Sequence, residues 1–94
     1  MSDLEQAAAL LKAFGNALRL AILLELREGE QCVHDLVAAL DASQPLVSQH
    51  LKVLKGAGVL EGRRRGKEIV YSIADEHVTR IALDAIAHAN ERTR

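Results

Sequence analysis

Apolar residues recur three and four apart along most of the chain, and the breaks between these runs fall at glycine, asparagine, aspartate and serine. Asp3 to Phe14 has the spacing of a first helix that Gly15 ends. Asn16 can cap a second helix, whose broad apolar face is Leu18, Ala21, Ile22, Leu23 and Leu26, with Gly29 past its last turn as the stop. A short third helix is expected around His34 to Leu40. Asp41, Ala42 and Ser43 form a compact turn, and Ser43 caps a fourth helix that carries Pro45 in its first turn, where proline is tolerated. On this fourth helix Val47, Leu51 and Leu54 point inward, while Gln44, Ser48, Lys52 and Lys55 share the opposite stripe with Gln49 beside them. Gly56 and Gly58 end it. Val59 to Glu61 and Glu68 to Ile73 then read as two strands around a turn from Gly62 to Lys67. After them Val78, Ile81, Ala82, Ala85, Ile86 and Ala89 make the apolar stripe of a closing helix, with alanines small enough to let a partner helix approach. The expected architecture is mainly α with a small β-hairpin.

The chain has 94 residues, which suits a single domain spanning 1–94, without repeats or a linker. One Phe, one Tyr and no Trp leave a core of Leu, Ile, Val and Ala, and a domain this small gains from burying further surface in a dimer. No apolar run has the length needed to span a bilayer, and acids stand near the N-terminus where a signal peptide would carry bases, so a cytoplasmic protein without a membrane partner is expected. The one cysteine, Cys32, rules out an intrachain disulfide framework and suits a reducing compartment as a small buried residue.

The formal net charge of -1 conceals a strong asymmetry. From Ser43 to Lys67 the bases are Lys52, Lys55, Arg63, Arg64, Arg65 and Lys67, against the single acid Glu61. Concentrated on a helix face and the hairpin after it, this block is the footprint of phosphate binding.

A second constellation lies near the C-terminus. Asp75, His77, His88 and Glu91 offer oxygen and nitrogen ligands suited to zinc, yet on one continuous helix His77 and His88 lie ~16 Å apart along the axis. Zinc–ligand distances of about 2 Å forbid that span, so the set works only where a second copy of the helix runs antiparallel and brings His88 beside the partner's His77. Asp75 suits the N-cap, from which its carboxylate can swing toward His77, and His88 and Glu91 are helical neighbours three apart. The expectation is a two-fold dimer with two zinc ions, each held by Asp75 and His77 of one chain and His88 and Glu91 of the other.

Helix, turn, helix and basic hairpin is the organisation of a winged helix-turn-helix. The stretches FGNALRLAILLEL, EQCVHDLVAAL and SQPLVSQHLKVLKGAGVLEGRRRGKEIVYSI, with the closing helix, resemble the ArsR/SmtB family of metal-responsive bacterial repressors over nearly the whole chain. The Asp75, His77, His88, Glu91 spacing resembles the zinc site that zinc sensors of this family build between paired C-terminal helices. The chain departs from the family at Cys32-Val33-His34, where many members have Cys-Val-Cys, and no cysteine or histidine lies in residues 1–31. One cysteine per protomer is too few for soft-metal sensing by thiolates, although Cys32, His34 and Asp35 remain an alternative auxiliary metal site. Ala17 also stands where the family commonly has proline.

The resemblance implies a homodimer, joined through its N- and C-terminal helices, that binds operator DNA when metal-free and dissociates on binding zinc. Ser43, Gln44, Ser48 and Gln49 would face the major groove, with Lys52, Lys55, Arg63, Arg64, Arg65 and Lys67 on phosphates or in the minor groove. No catalytic set and no small-molecule substrate are expected, because four protein ligands leave zinc no open position for water. Nickel or cobalt sensing, a metal-independent repressor of the same fold and a dimerisation module without DNA binding are the alternatives.

Overall fold

The computed structural model describes residues 2–92. Local capping chemistry places the helix starts. Ser2 Oγ accepts the Glu5 amide at 3.1 Å while Glu5 Oε1 accepts the Ser2 amide, a reciprocal box that begins α1 (Asp3–Phe14). Asn16 Oδ1 accepts the Arg19 amide and begins α2 (Ala17–Leu26), as expected. A two-residue strand, β1 (Gln31–Cys32), leads directly into α3 (Val33–Leu40). Asp41 ends α3 in the left-handed region, at φ 50°, a conformation its short polar side chain tolerates. Two residues later Ser43 Oγ accepts the Leu46 amide and starts α4 (Gln44–Gly56). The hairpin β2 (Leu60–Arg65) and β3 (Glu68–Ile73) follows, then α5 (Glu76–Arg92).

The sheet has the order β1-β3-β2 and is antiparallel throughout. It differs from the sequence expectation in two respects. Periodicity gives no warning of β1, because two residues are too few to carry a period. The hairpin is also longer and its turn shorter than expected: pairing runs from Leu60↔Ile73 to Arg65↔Glu68, leaving only Gly66 and Lys67 as the turn. Gly66, at φ 65°, supplies the positive φ that a tight hairpin needs at its first central position. Gly62 is not a turn residue but a point of close approach inside β2, where an added Cβ would meet Ile69 Cγ2 at 3.2 Å and Tyr71 Cε1 at 3.3 Å. Arg63, Arg64 and Arg65 are therefore strand residues, and strand geometry decides where each points.

Ile22, Leu23, Leu36, Val47, Leu51, Leu54, Val59 and Val70 are the fully buried large side chains, drawn from α2, α3, α4, the bend before β2, and β3. Helices α3 and α4 and their short turn pack on α2 as a helix-turn-helix, with β2 and β3 as the wing beside it. The fold is the winged helix-turn-helix.

The first and last helices are held differently. On α1 only Ala13 and Phe14 are buried, while Leu4 is 83% and Leu11 59% exposed. On α5 the expected stripe divides: Val78 and Ala82 are buried in the core, but Ala85 and Ala89 are exposed. The apolar period continues past the point where the rest of the chain covers it. Among the described residues no single helix is long and apolar enough to cross a membrane.

Candidate functional site

Helix α4 turns two chemically distinct faces in opposite directions. Val47, Leu51 and Leu54 are buried as their spacing predicts, while Ser43, Gln44, Ser48, Gln49, Lys52 and Lys55 are all exposed. The outer face begins with uncharged hydrogen-bonding groups and ends with two lysines. Hydroxyl and amide side chains read base edges, and ammonium groups hold phosphates, so this order suits a helix entering a groove by its N-terminal end.

Sequence reasoning overlooked His50, which lies on the inward face and is only 9% exposed. Its Nδ1 is 3.2 Å from Nη1 of Arg19 on α2. The same guanidinium donates through Nε to the Ala13 carbonyl at 2.6 Å and reaches the Lys12 carbonyl, so Arg19 ties the end of α1 to α4. A guanidinium only donates, so Nδ1 accepts and the ring is neutral. Burial, and then the Arg19 charge, holds the His50 pKa below its ordinary value of 6.5. A spacing of three from Val47, next to Leu51, was the available signal.

The wing arginines are not equivalent. Alternation in β2 puts Arg63 and Arg65 on one face and Arg64 on the other, opposite Ile69. Glu30, just before β1, accepts hydrogen bonds from both Arg63 and Arg65 through Oε1. Among the described residues Arg64 has no carboxylate within ion-pair distance. Lys67 is at the hairpin tip.

At the other end of the molecule Asp75 accepts the Val78 amide at 3.2 Å and so caps α5, while the same Oδ1 stands 3.6 Å from His77 Nδ1. These two candidate ligands are together in one protomer. His88 and Glu91 are exposed and one helical turn apart. Because α5 is continuous from Glu76 to Arg92, His88 is carried ~16 Å along the axis from His77, and one chain does not unite the four. The donor set itself, two imidazoles and two carboxylates, fits zinc.

Another group of donors is assembled within one chain. Ligand atoms of Cys32, His34 and Glu68 lie within 4.8 Å of one another, with His34 Nδ1 3.6 Å from Glu68 Oε1. Asp35, expected as the third member, instead turns Oδ2 onto the Cys32 amide and thiol, each at 3.3 Å. Pairing of β1 with β3 brings Glu68 to the start of α3. Cys32 is buried, as a small apolar residue would be.

Residues 16–61, which hold α2 through the start of β2, match the family of bacterial regulatory proteins named arsR. The chain is 56% identical over 88 residues to the HTH-type transcriptional repressor SmtB of Mycobacterium tuberculosis H37Rv, a match covering 94% of this chain and 65% of that protein. It is 42% identical over 84 residues to the HTH-type transcriptional regulator NmtR of the same organism, covering 89% of this chain and 70% of the relative. In structure it resembles the homodimeric winged helix-turn-helix DNA-binding domain Mb0332 from Mycobacterium bovis, with a TM-score of 0.88 at 34% identity over all of this chain and 92% of that one. Fold, helix faces and relatives agree: the chain belongs to the ArsR family of bacterial regulatory proteins.

Proposed function

We propose that the chain acts as a homodimeric transcriptional repressor that holds operator DNA when metal-free and releases it on binding zinc. The exposed polar and basic residues from Ser43 along α4 and on the wing are the observation that carries the DNA half of this reading. Gln44, Ser48 and Gln49 meet base edges, while Lys52, Lys55, Arg64 and Lys67 hold phosphates, joined by Arg63 and Arg65. The uncovered apolar residues of α1 and of the second half of α5 supply the dimer surface. Two α4 helices must reach major grooves about 34 Å apart, so the angle between protomers governs binding.

The regulatory half rests on α5. Asp75 and His77 of one protomer with His88 and Glu91 of the other would hold one zinc ion, giving two per dimer. Bound there, zinc would supply a fixed cross-link between the paired helices. Asp75 orients its half of the set by staying anchored to the helix start, and His88 and Glu91 present theirs from one exposed turn. Two copies of α5 running antiparallel bring the halves together.

Fluorescence anisotropy of a labelled operator tests the reading. Wild-type protein should leave the operator when zinc is added, and His88→Ala should bind equally well without metal and stay bound with it. Coupling of about 1–3 kcal/mol requires operator to weaken zinc uptake by the same factor. An operator complex indifferent to zinc, or tightened by it, would overturn the regulatory half. A second reading, favoured by the proximity of Cys32, His34 and Glu68, places metal between α3 and β3 instead. In that case zinc response survives His88→Ala and is lost in Cys32→Ser.

A further inference from the structure

The wing does not present three bare cations. Glu30 lies 33 residues before Arg63 in sequence, but the sheet order β1-β3-β2 brings them together. Cys32 pairs with Val70, and Val70 with Arg63, so the face that carries Arg63 also carries the residue two before Cys32. That residue is Glu30, whose Oε1 is shared between Arg63 Nη2 and Arg65 Nη1. Register adds two further carboxylates to the face: Glu68 stands opposite Arg65, and Glu61 is two residues before Arg63. The arginine side chains remain 58% and 60% exposed, so a DNA backbone can reach them. A carboxylate shared by two guanidinium groups offers them the same charge and acceptor geometry as a phosphate oxygen.

We propose that Glu30 is an intramolecular competitor for the DNA backbone: it occupies Arg63 and Arg65 in the free protein and must yield them before the wing grips duplex DNA. The inference rests on the reading of the wing as a DNA-binding element. Arg64 and Lys67, outside this ion pair, make the first backbone contacts, and Arg63 and Arg65 contribute only after exchange. The exchange breaks the Glu30 contacts to both arginines before either can hold a phosphate, which opposes binding. Glu30 therefore holds down affinity for duplexes of every sequence, the component that depends on phosphate charge and not on base identity.

Duplex DNA lacking an operator, titrated at several salt concentrations, tests the proposal with the full chain kept metal-free. Glu30→Gln should bind more tightly than wild type, with a slope of log affinity against log salt steeper by about 0.9, for the one positive charge that a single carboxylate neutralises. In an Arg63→Ala/Arg65→Ala background the same substitution should change neither affinity nor slope. Arg64→Ala is the independent check on the wing, and should weaken binding and flatten the slope. If Arg64→Ala behaves so while Glu30→Gln leaves both quantities unchanged, competition by Glu30 is overturned and DNA binding by the wing stands. Equal tightening with and without the two arginines would also overturn it, because simple removal of a negative charge would then be the cause. If Arg64→Ala also has no effect, DNA binding by the wing falls, and Glu30 competition with it.

Discussion

His50 shows how one buried side chain links the elements that the proposed repressor must keep in register. Its neutral ring accepts from Arg19, which in turn holds the carbonyls at the end of α1. Protonation would turn that acceptor into a second cation facing a guanidinium. Because the folded-state pKa is lowered, this site's contribution to stability is complete above the unfolded value near 6.5 and is lost as pH falls below it. Over that acid range the unfolded chain takes up the proton more readily than the folded one. His50→Asn keeps an acceptor and removes the titration. Urea unfolding of metal-free protein from above pH 7 down to about pH 5 should show wild type losing stability relative to His50→Asn. Parallel pH profiles would refute the assignment.

At the scale of the element, α4 would let one helix pack and read at once in the proposed repressor. Leu51 and Leu54 fix its rotation in the core, and that rotation turns Gln44, Ser48 and Gln49 outward together. Gln44 is the first residue of the helix after the Ser43 cap, where side chains of reading helices meet base edges. Gln44→Ala should cost about 1–3 kcal/mol at its cognate base pair and relax discrimination there, while leaving the salt slope unchanged. Binding to operator variants at that position is the measurement. Uniform weakening across all variants would make Gln44 a backbone contact instead.

The proposed site at the scale of the whole molecule requires two chains, and this can be tested without DNA. Chains carrying Asp75→Ala and His77→Ala, mixed with chains carrying His88→Ala and Glu91→Ala, form heterodimers with one complete ligand set and one empty set. Neither parent should bind zinc tightly at α5, and the mixture should recover one site per heterodimer. Equilibrium dialysis with zinc, on heterodimer verified by mass, reads the outcome. Absence of recovery would mean that the four residues do not act across the interface. The same scale explains the exposed Leu4, Leu11, Ala85 and Ala89: in a single chain their apolar faces have nothing to cover them.

By itself the sequence determined the features whose causes lie within a few residues. Caps at Asn16, Ser43 and Asp75, the inward stripe Val47, Leu51 and Leu54, and the outward row of α4 were legible because capping and helical period act over three or four positions. The hairpin was legible in kind but not in extent, since Gly62 and Gly66 look alike in sequence and only strand pairing separates a close approach from a turn. Only the tertiary structure decided that Glu30 holds Arg63 and Arg65, that Arg19 meets His50, and that Glu68, instead of Asp35, is the third donor grouped with Cys32 and His34. The Glu30–Arg63 and Arg19–His50 contacts join residues more than thirty positions apart. No local period encodes such pairs; β1, too short to predict, sets the register that brings Glu30 and Glu68 to their partners, and the packing of α2 against α4 sets the other.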